Sequence, residues 1–121
     1  MQATEHLMTL PWPPKDLNPN SRAHWRKKAK AAKSYRATCH IMTKQARIVA
    51  PEGKVQLVMT FCPPDRRRRD DDNCIASMKS GRDGIADALG IDDSRFMVRA
   101  RMGEPREGGA VLVWIGGEVS A

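Results

Sequence analysis

A chain of 121 residues, 40% hydrophobic and 29% charged, has the size and composition of one globular domain spanning 1–121, which excludes a disordered polymer. Twenty-one Lys and Arg against fourteen Asp and Glu leave a net charge of +7, a balance that favours a polyanion as partner, nucleic acid before membrane. No run approaches the ~18 consecutive apolar residues of a membrane span. The opening segment Met1 to Glu5 lacks the basic start and apolar stretch of a signal peptide. Cys39, Cys62 and Cys74 are odd in number and never form a C-x-x-C pair, so neither a disulfide framework nor a zinc site is expected, and the setting is a reducing cytoplasm.

In chain order, residues 5–10 alternate His6, Met8 and Leu10 with polar neighbours and predict a short strand. Pro11, Pro13 and Pro14 around Trp12 stop it, because proline cannot donate to a ladder. Asn18, Pro19, Asn20 and Ser21 are loop formers. From about His24 to Arg47 the period becomes helical: Trp25, Ala29, Ala32, Tyr35 or Arg36, Cys39, Met42 and Ala46 form an apolar stripe, with lysines and arginines crowding the remaining face. That basic face serves either as a solvated surface or as a track for phosphates. Val55, Leu57, Met59 and Phe61 then predict a strand over 54–62, which Pro63 and Pro64 close.

A second helix is predicted from about Asn73 to Leu89, burying Ile75, Met78, Ile85 and Leu89, with Gly81 and Gly84 suited to close packing and Gly90 to a C-terminal cap. Residues 96–102 and 110–115 read as two strands joined in a hairpin through Pro105, Gly108 and Gly109. The order strand, helix, strand, helix, strand, strand defines an α+β domain: two main helices against one small sheet, mostly antiparallel or mixed.

The chemistry concentrates after the second strand, where Asp65 and Arg66 to Arg69 are followed at once by Asp70, Asp71, Asp72 and Asn73. Crowded carboxylates repel one another unless cations offset them. The arginines do part of this, and a divalent ion would do more, since magnesium prefers hard oxygen ligands. On an extended stretch Asp70 and Asp72 point the same way and can share an ion. The bland alternative is a solvated run of charges that cancel locally. A calcium loop is excluded: counted from Asp70, Cys74, Ile75 and Gly81 stand where an oxygen ligand, a glycine and a glutamate are required.

Lys79 follows Asp72 by seven residues, about two helical turns, so in a helix beginning near Asp72 it shares that face. Asp92 and Asp93 follow the glycine that ends the helix. Carboxylates, a lysine and a basic surround suit phosphodiester hydrolysis, in which metal ions activate water and a cation stabilises developing charge. Each has a plain structural alternative: Asp92 as a turn cap, and Lys79 paired with Asp83 at i+4.

With these residues assembled, the chain resembles the RusA family of Holliday junction resolvases, often carried by prophages. The likeness runs from Leu10-Pro-Trp-Pro-Pro14, through Pro64 and the arginine run to Asp70, Asp72 and Asn73, to Asp87-Ala-Leu-Gly-Ile-Asp-Asp-Ser94. The resemblance implies a homodimer that binds four-way DNA junctions and nicks them in pairs with magnesium or manganese. It implies Asp70, Asp72 and Asp93 as catalytic metal ligands, Lys79 as the catalytic lysine, and Arg67, Arg68 and Arg69 against DNA. The family lysine follows the second aspartate by four residues, a position held here by Ala76. Lys79 comes one helical turn later and still precedes an aspartate, Asp83, by four.

Overall fold

A computed structural model describes residues 5–117. The reading of Met1 to Thr4 lies outside the described residues. Strand β1 (Glu5–Pro11) leads through a 3-10 turn at Lys15–Leu17 into helix α1 (Trp25–Gln45). Strand β2 (Val55–Cys62) leads to α2 (Asp71–Ser77) and α3 (Lys79–Leu89), and a turn at Asp93–Arg95 opens β3 (Phe96–Met102), followed by β4 (Ala110–Gly117). The α+β architecture is as expected, with one small mixed sheet.

The sheet order is β1-β4-β2-β3. β4 runs antiparallel to both β1 and β2, and β3 lies parallel to β2. The hairpin predicted from residues 96–102 and 110–115 therefore does not form. The side chains explain why. β4 carries Val111, Val113 and Ile115, all fully buried, and needs neighbours on both sides. β3 carries exposed Arg99 and Arg101, a composition that suits a sheet edge. One sheet face, made by Val55, Leu57, Met59 and Phe61 of β2 with the three β4 residues, packs under the helices. On the other face Leu7, Trp114 and Val58 stand in one cross-strand row, opposite the face that the described helices cover.

The predicted helix 73–89 is two helices, so the described residues hold three rather than two. Met78 interrupts it at φ −89°, ψ 0°, where its N–H bonds to the Ile75 carbonyl three residues back. Met78 is fully buried, and its sulfur lies 3.2 Å from the Tyr35 hydroxyl. A tertiary contact thus overrides the local period. The apolar stripe of α1 is also shorter than predicted. Tyr35, Cys39 and Thr43 are buried, whereas Trp25, Ala29 and Ala46 are exposed. Thr43 tolerates burial because its hydroxyl donates to the Cys39 carbonyl at 2.7 Å.

Gly81 and Gly84 do serve close packing, since a Cβ on either would collide with α1. Across that contact Arg36 donates two hydrogen bonds to the Asp87 carboxylate, at 2.7 and 2.9 Å. Those bonds hold the Asp87 carboxyl below the usual carboxylate range. Gly90 ends α3 at φ 67°, as a left-handed cap requires. The three cysteines are free and buried, and burial pushes the Cys39 thiol up to about 11.

Tyr35 ties three elements together. Its hydroxyl also lies 2.6 Å from the Pro11 carbonyl at the end of β1. Burial is the main cause that pushes its pKa above the ordinary tyrosine value, so it stays a neutral donor. Tyr35→Phe should cost about 1–2 kcal/mol by leaving that carbonyl unpaired, read as a fall of several degrees in Tm on thermal melting.

Candidate active site

β1, β2 and β3 all run in one direction, so their C-terminal ends share one edge of the sheet. At that edge the prolines around Trp12 and after Cys62 end the ladders. The two loops meet the β3–β4 connection there: Gly109, at φ 70°, leaves no room for a side chain between Trp12 and Pro64.

The arginine run is organised by Asp65. Its carboxylate accepts from the Arg67 N–H and from the Arg69 guanidinium, both at 2.9 Å. Arg69 also donates to the Arg67 and Asp65 carbonyls at 3.0 and 3.3 Å, and its guanidinium lies 5.7 Å from the Trp12 ring centroid. Trp12 in turn meets Phe61 edge-on, with ring centroids 6.1 Å apart. The Arg69 hydrogen bond is the first cause that holds the Asp65 carboxyl below its ordinary range. Arg69, expected against phosphate, holds the loop through its Nη1. Arg66, Arg67 and Arg68 remain exposed.

Asp70 is the N-cap of α2, and its carboxylate accepts from the Asp72 N–H at 2.8 Å. Asp71 and Asp72 occupy the first helical turn rather than an extended stretch. The three exposed aspartates sit where the helix dipole favours negative charge. Beside them opens a cavity of 490 Å³, walled by Trp12, Phe61, Asn18, Asn20, Arg67 and Arg68, with Asp70 on its lining.

Lys79 and Asp93 are also brought together. The Lys79 ammonium lies 3.0 Å from Asp83 and 3.6 Å from Asp93. Asp92 caps the turn by accepting from the Ser94 N–H at 2.9 Å, and hydrogen bonding from the Ser94 side chain first, then from its N–H, keeps the carboxyl below its ordinary range. Arg95 donates to the Gly53 and Pro51 carbonyls at 2.8 and 2.6 Å, fastening this turn to the start of β2. Asp93 therefore opens the N-terminal end of β3, while Asp70 and Asp72 follow the C-terminal end of β2. Among the described residues no three His, Cys, Asp or Glu side chains lie close enough to hold one ion. The shared helix face expected for Asp72 and Lys79 is broken by the bend at Met78. Between the two groups a groove of α1 and α3 is lined by Lys33, Arg36, Ser77, Lys79 and Asp83.

A small hard cation that keeps several of its waters asks for only one or two carboxylates, and carboxylate oxygen is the donor chemistry that Asp70 and Asp72 supply. The placement of Trp12, Asn18 and Asn20 beside them was missed in the sequence, where these residues read only as a strand stop and a loop. Proline on both sides of a tryptophan was the available signal.

The geometry defines an α+β protein with an acidic helix start set in basic loops at one sheet edge. No protein-family model matches the chain. It is 45% identical over 115 residues to an uncharacterized protein of Xylella fastidiosa, a match covering 91% of this chain and 75% of that protein. The chain belongs to the family of that protein. No described helix is long and apolar enough to cross a membrane.

Proposed function

We propose that this protein is a magnesium-dependent endodeoxyribonuclease that resolves four-way DNA junctions by paired nicks, in cytoplasmic recombination and repair. The observation that carries this reading is the pair Asp70 and Asp72, fixed at the start of α2 beside a cavity rimmed by Arg67, Arg68 and Lys15. Asp70 and Asp72 would hold magnesium, or manganese in its place. When bound, the ion supplies an activated water and neutralises charge on the phosphate.

The chain's own residues do the rest. Arg66, Arg67 and Arg68 are exposed and draw the DNA backbone to the sheet edge. Lys33 and Lys79 extend positive charge along the α1–α3 groove. Asp93 holds the Lys79 ammonium together with Asp83, so a phosphate in the groove meets an oriented cation. A two-fold pair of such chains suits a substrate with near two-fold symmetry. The row of Leu7, Trp114 and Val58 offers apolar surface for that pairing.

A second reading is a nucleic-acid-binding module without catalysis. It is favoured by the ion pairs Asp65–Arg69 and Lys79–Asp83, which give those charges structural partners. Cleavage of a synthetic four-way junction, a replication fork, a flap and a linear duplex, side by side in magnesium, decides between them. The junction should be cut at least about tenfold faster than the linear duplex, and its affinity should fall steeply with salt. Binding without cleavage of any substrate leaves only the module. Faster cutting of forks or flaps than of junctions keeps the chemistry and changes the substrate.

A further inference from the structure

We propose that the cavity beside Asp70 is a pocket for a single unstacked nucleotide, the one adjoining the phosphate to be cut, and that Asn18 and Asn20 read its base. The inference rests on the nuclease reading and adds to it a recognition element for sequence. At 490 Å³ the cavity falls within the ~300–1,000 Å³ of pockets that seat small ligands.

Its lining has the two chemistries that a nucleotide presents. Half-buried Trp12, backed by the buried Phe61 ring, gives it an aromatic wall, and Pro14 adds apolar surface beside it. Arg67 and Arg68 supply exposed guanidinium groups for phosphate oxygens. Between these, Asn18 and Asn20 bring side-chain amides, each able to donate and accept at once. The Asn18 side-chain oxygen Oδ1 accepts from the Asn20 N–H at 2.8 Å, and the side-chain NH2 of Asn18 is left to donate. An inorganic phosphate would use the arginines and leave the aromatic wall idle.

A base inside a paired duplex cannot enter such a pocket. A base at a branch point can, since lifting it out costs least where pairing and stacking are already disturbed. The pocket therefore couples a preference for branched DNA to a preference for the base next to the cut.

The test replaces nucleotides near the crossover of a synthetic four-way junction, one at a time, by abasic sites. Binding is measured with calcium in place of magnesium. For the wild-type chain, one abasic position next to the cut should weaken binding about tenfold. In the double variant Asn18→Ala, Asn20→Ala the intact junction should bind about tenfold more weakly, close to the wild-type chain's affinity for that abasic junction, and Trp12→Phe, which keeps an aromatic ring, should lose less. In the double asparagine variant the preference among bases at that position should fall about tenfold. Equal binding of every abasic junction by the wild-type chain overturns the pocket, as does an unchanged base preference in the double variant. A chain that binds no junction at all sinks the nuclease reading and the pocket with it. One that binds and cuts without sensing the missing base sinks the pocket alone.

Discussion

Asp70→Asn should slow cleavage of a four-way junction in magnesium by roughly a thousandfold or more, about 4 kcal/mol of lost transition-state stabilisation, while the junction remains bound. The substitution separates two duties that Asp70 performs. As N-cap it accepts the Asp72 N–H at 2.8 Å, and Asn caps as well as Asp, so the start of α2 survives. What disappears is the negative oxygen that a divalent ion needs. Affinity for DNA should hold or rise, because one acidic group has left a basic surface. A variant that cuts at the wild-type rate would remove Asp70 from the site. Asp93→Asn addresses the other end of the sheet, where the carboxylate touches Lys79 at 3.6 Å. It should slow cleavage by less than Asp70→Asn does, with binding kept, because Asp83 still holds the Lys79 ammonium at 3.0 Å; full activity there would detach the Lys79 group from the chemistry.

Gly84→Ala should destabilise the fold by about 3 kcal/mol or more, at the upper end of what overpacking costs. A Cβ at this position overlaps the Arg36 carbonyl oxygen and comes within 3.1 Å of the His40 nitrogen. Both are backbone atoms of α1 and cannot swing aside. The helices must separate, which strains the paired bonds between Arg36 and Asp87 across the same contact. Thermal melting should show a fall of about 10 °C or more. Gly81→Ala is a graded comparison, since its Cβ meets side-chain atoms of Tyr35, Met78 and Cys39 that have some freedom to move. A melting temperature for Gly84→Ala within a degree or two of wild type would mean that α1 and α3 do not pack as described.

Local period and punctuation made the elements legible. Alternation in Val55 to Phe61, proline at Pro11 and Pro63, and glycine at Gly90 each act within a few residues, and each element they mark is present. Tertiary effects were not legible. The bend at Met78 depends on Tyr35, forty-three residues earlier, and no pattern near residue 78 announces it. The placement of β4 between β1 and β2 depends on which strand can tolerate an edge, a comparison between distant segments. For the site, the sequence marked the acidic residues but not their grouping. Asp70 with Asp72, and Lys79 with Asp93, follow from the direction of the strands that precede or follow them. The role of Arg69 was visible in principle, because Asp65 stands four residues before it.

The central position of β4 also sets an order of events during folding. Among the described residues β1 pairs only with β4, and Leu10 lies opposite Val111, about a hundred residues further along the chain. β2 can dock β3 earlier, but that pair is parallel and closes over a long connection. Until residues 110–117 arrive, the first strand has no partner, and Leu10 must wait uncovered or shelter against α1. Closing loops of that length before any pairing rewards them is slow. The barrier to folding should therefore lie at the insertion of β4, and changes at Val111 or Val113 should slow folding more than they speed unfolding.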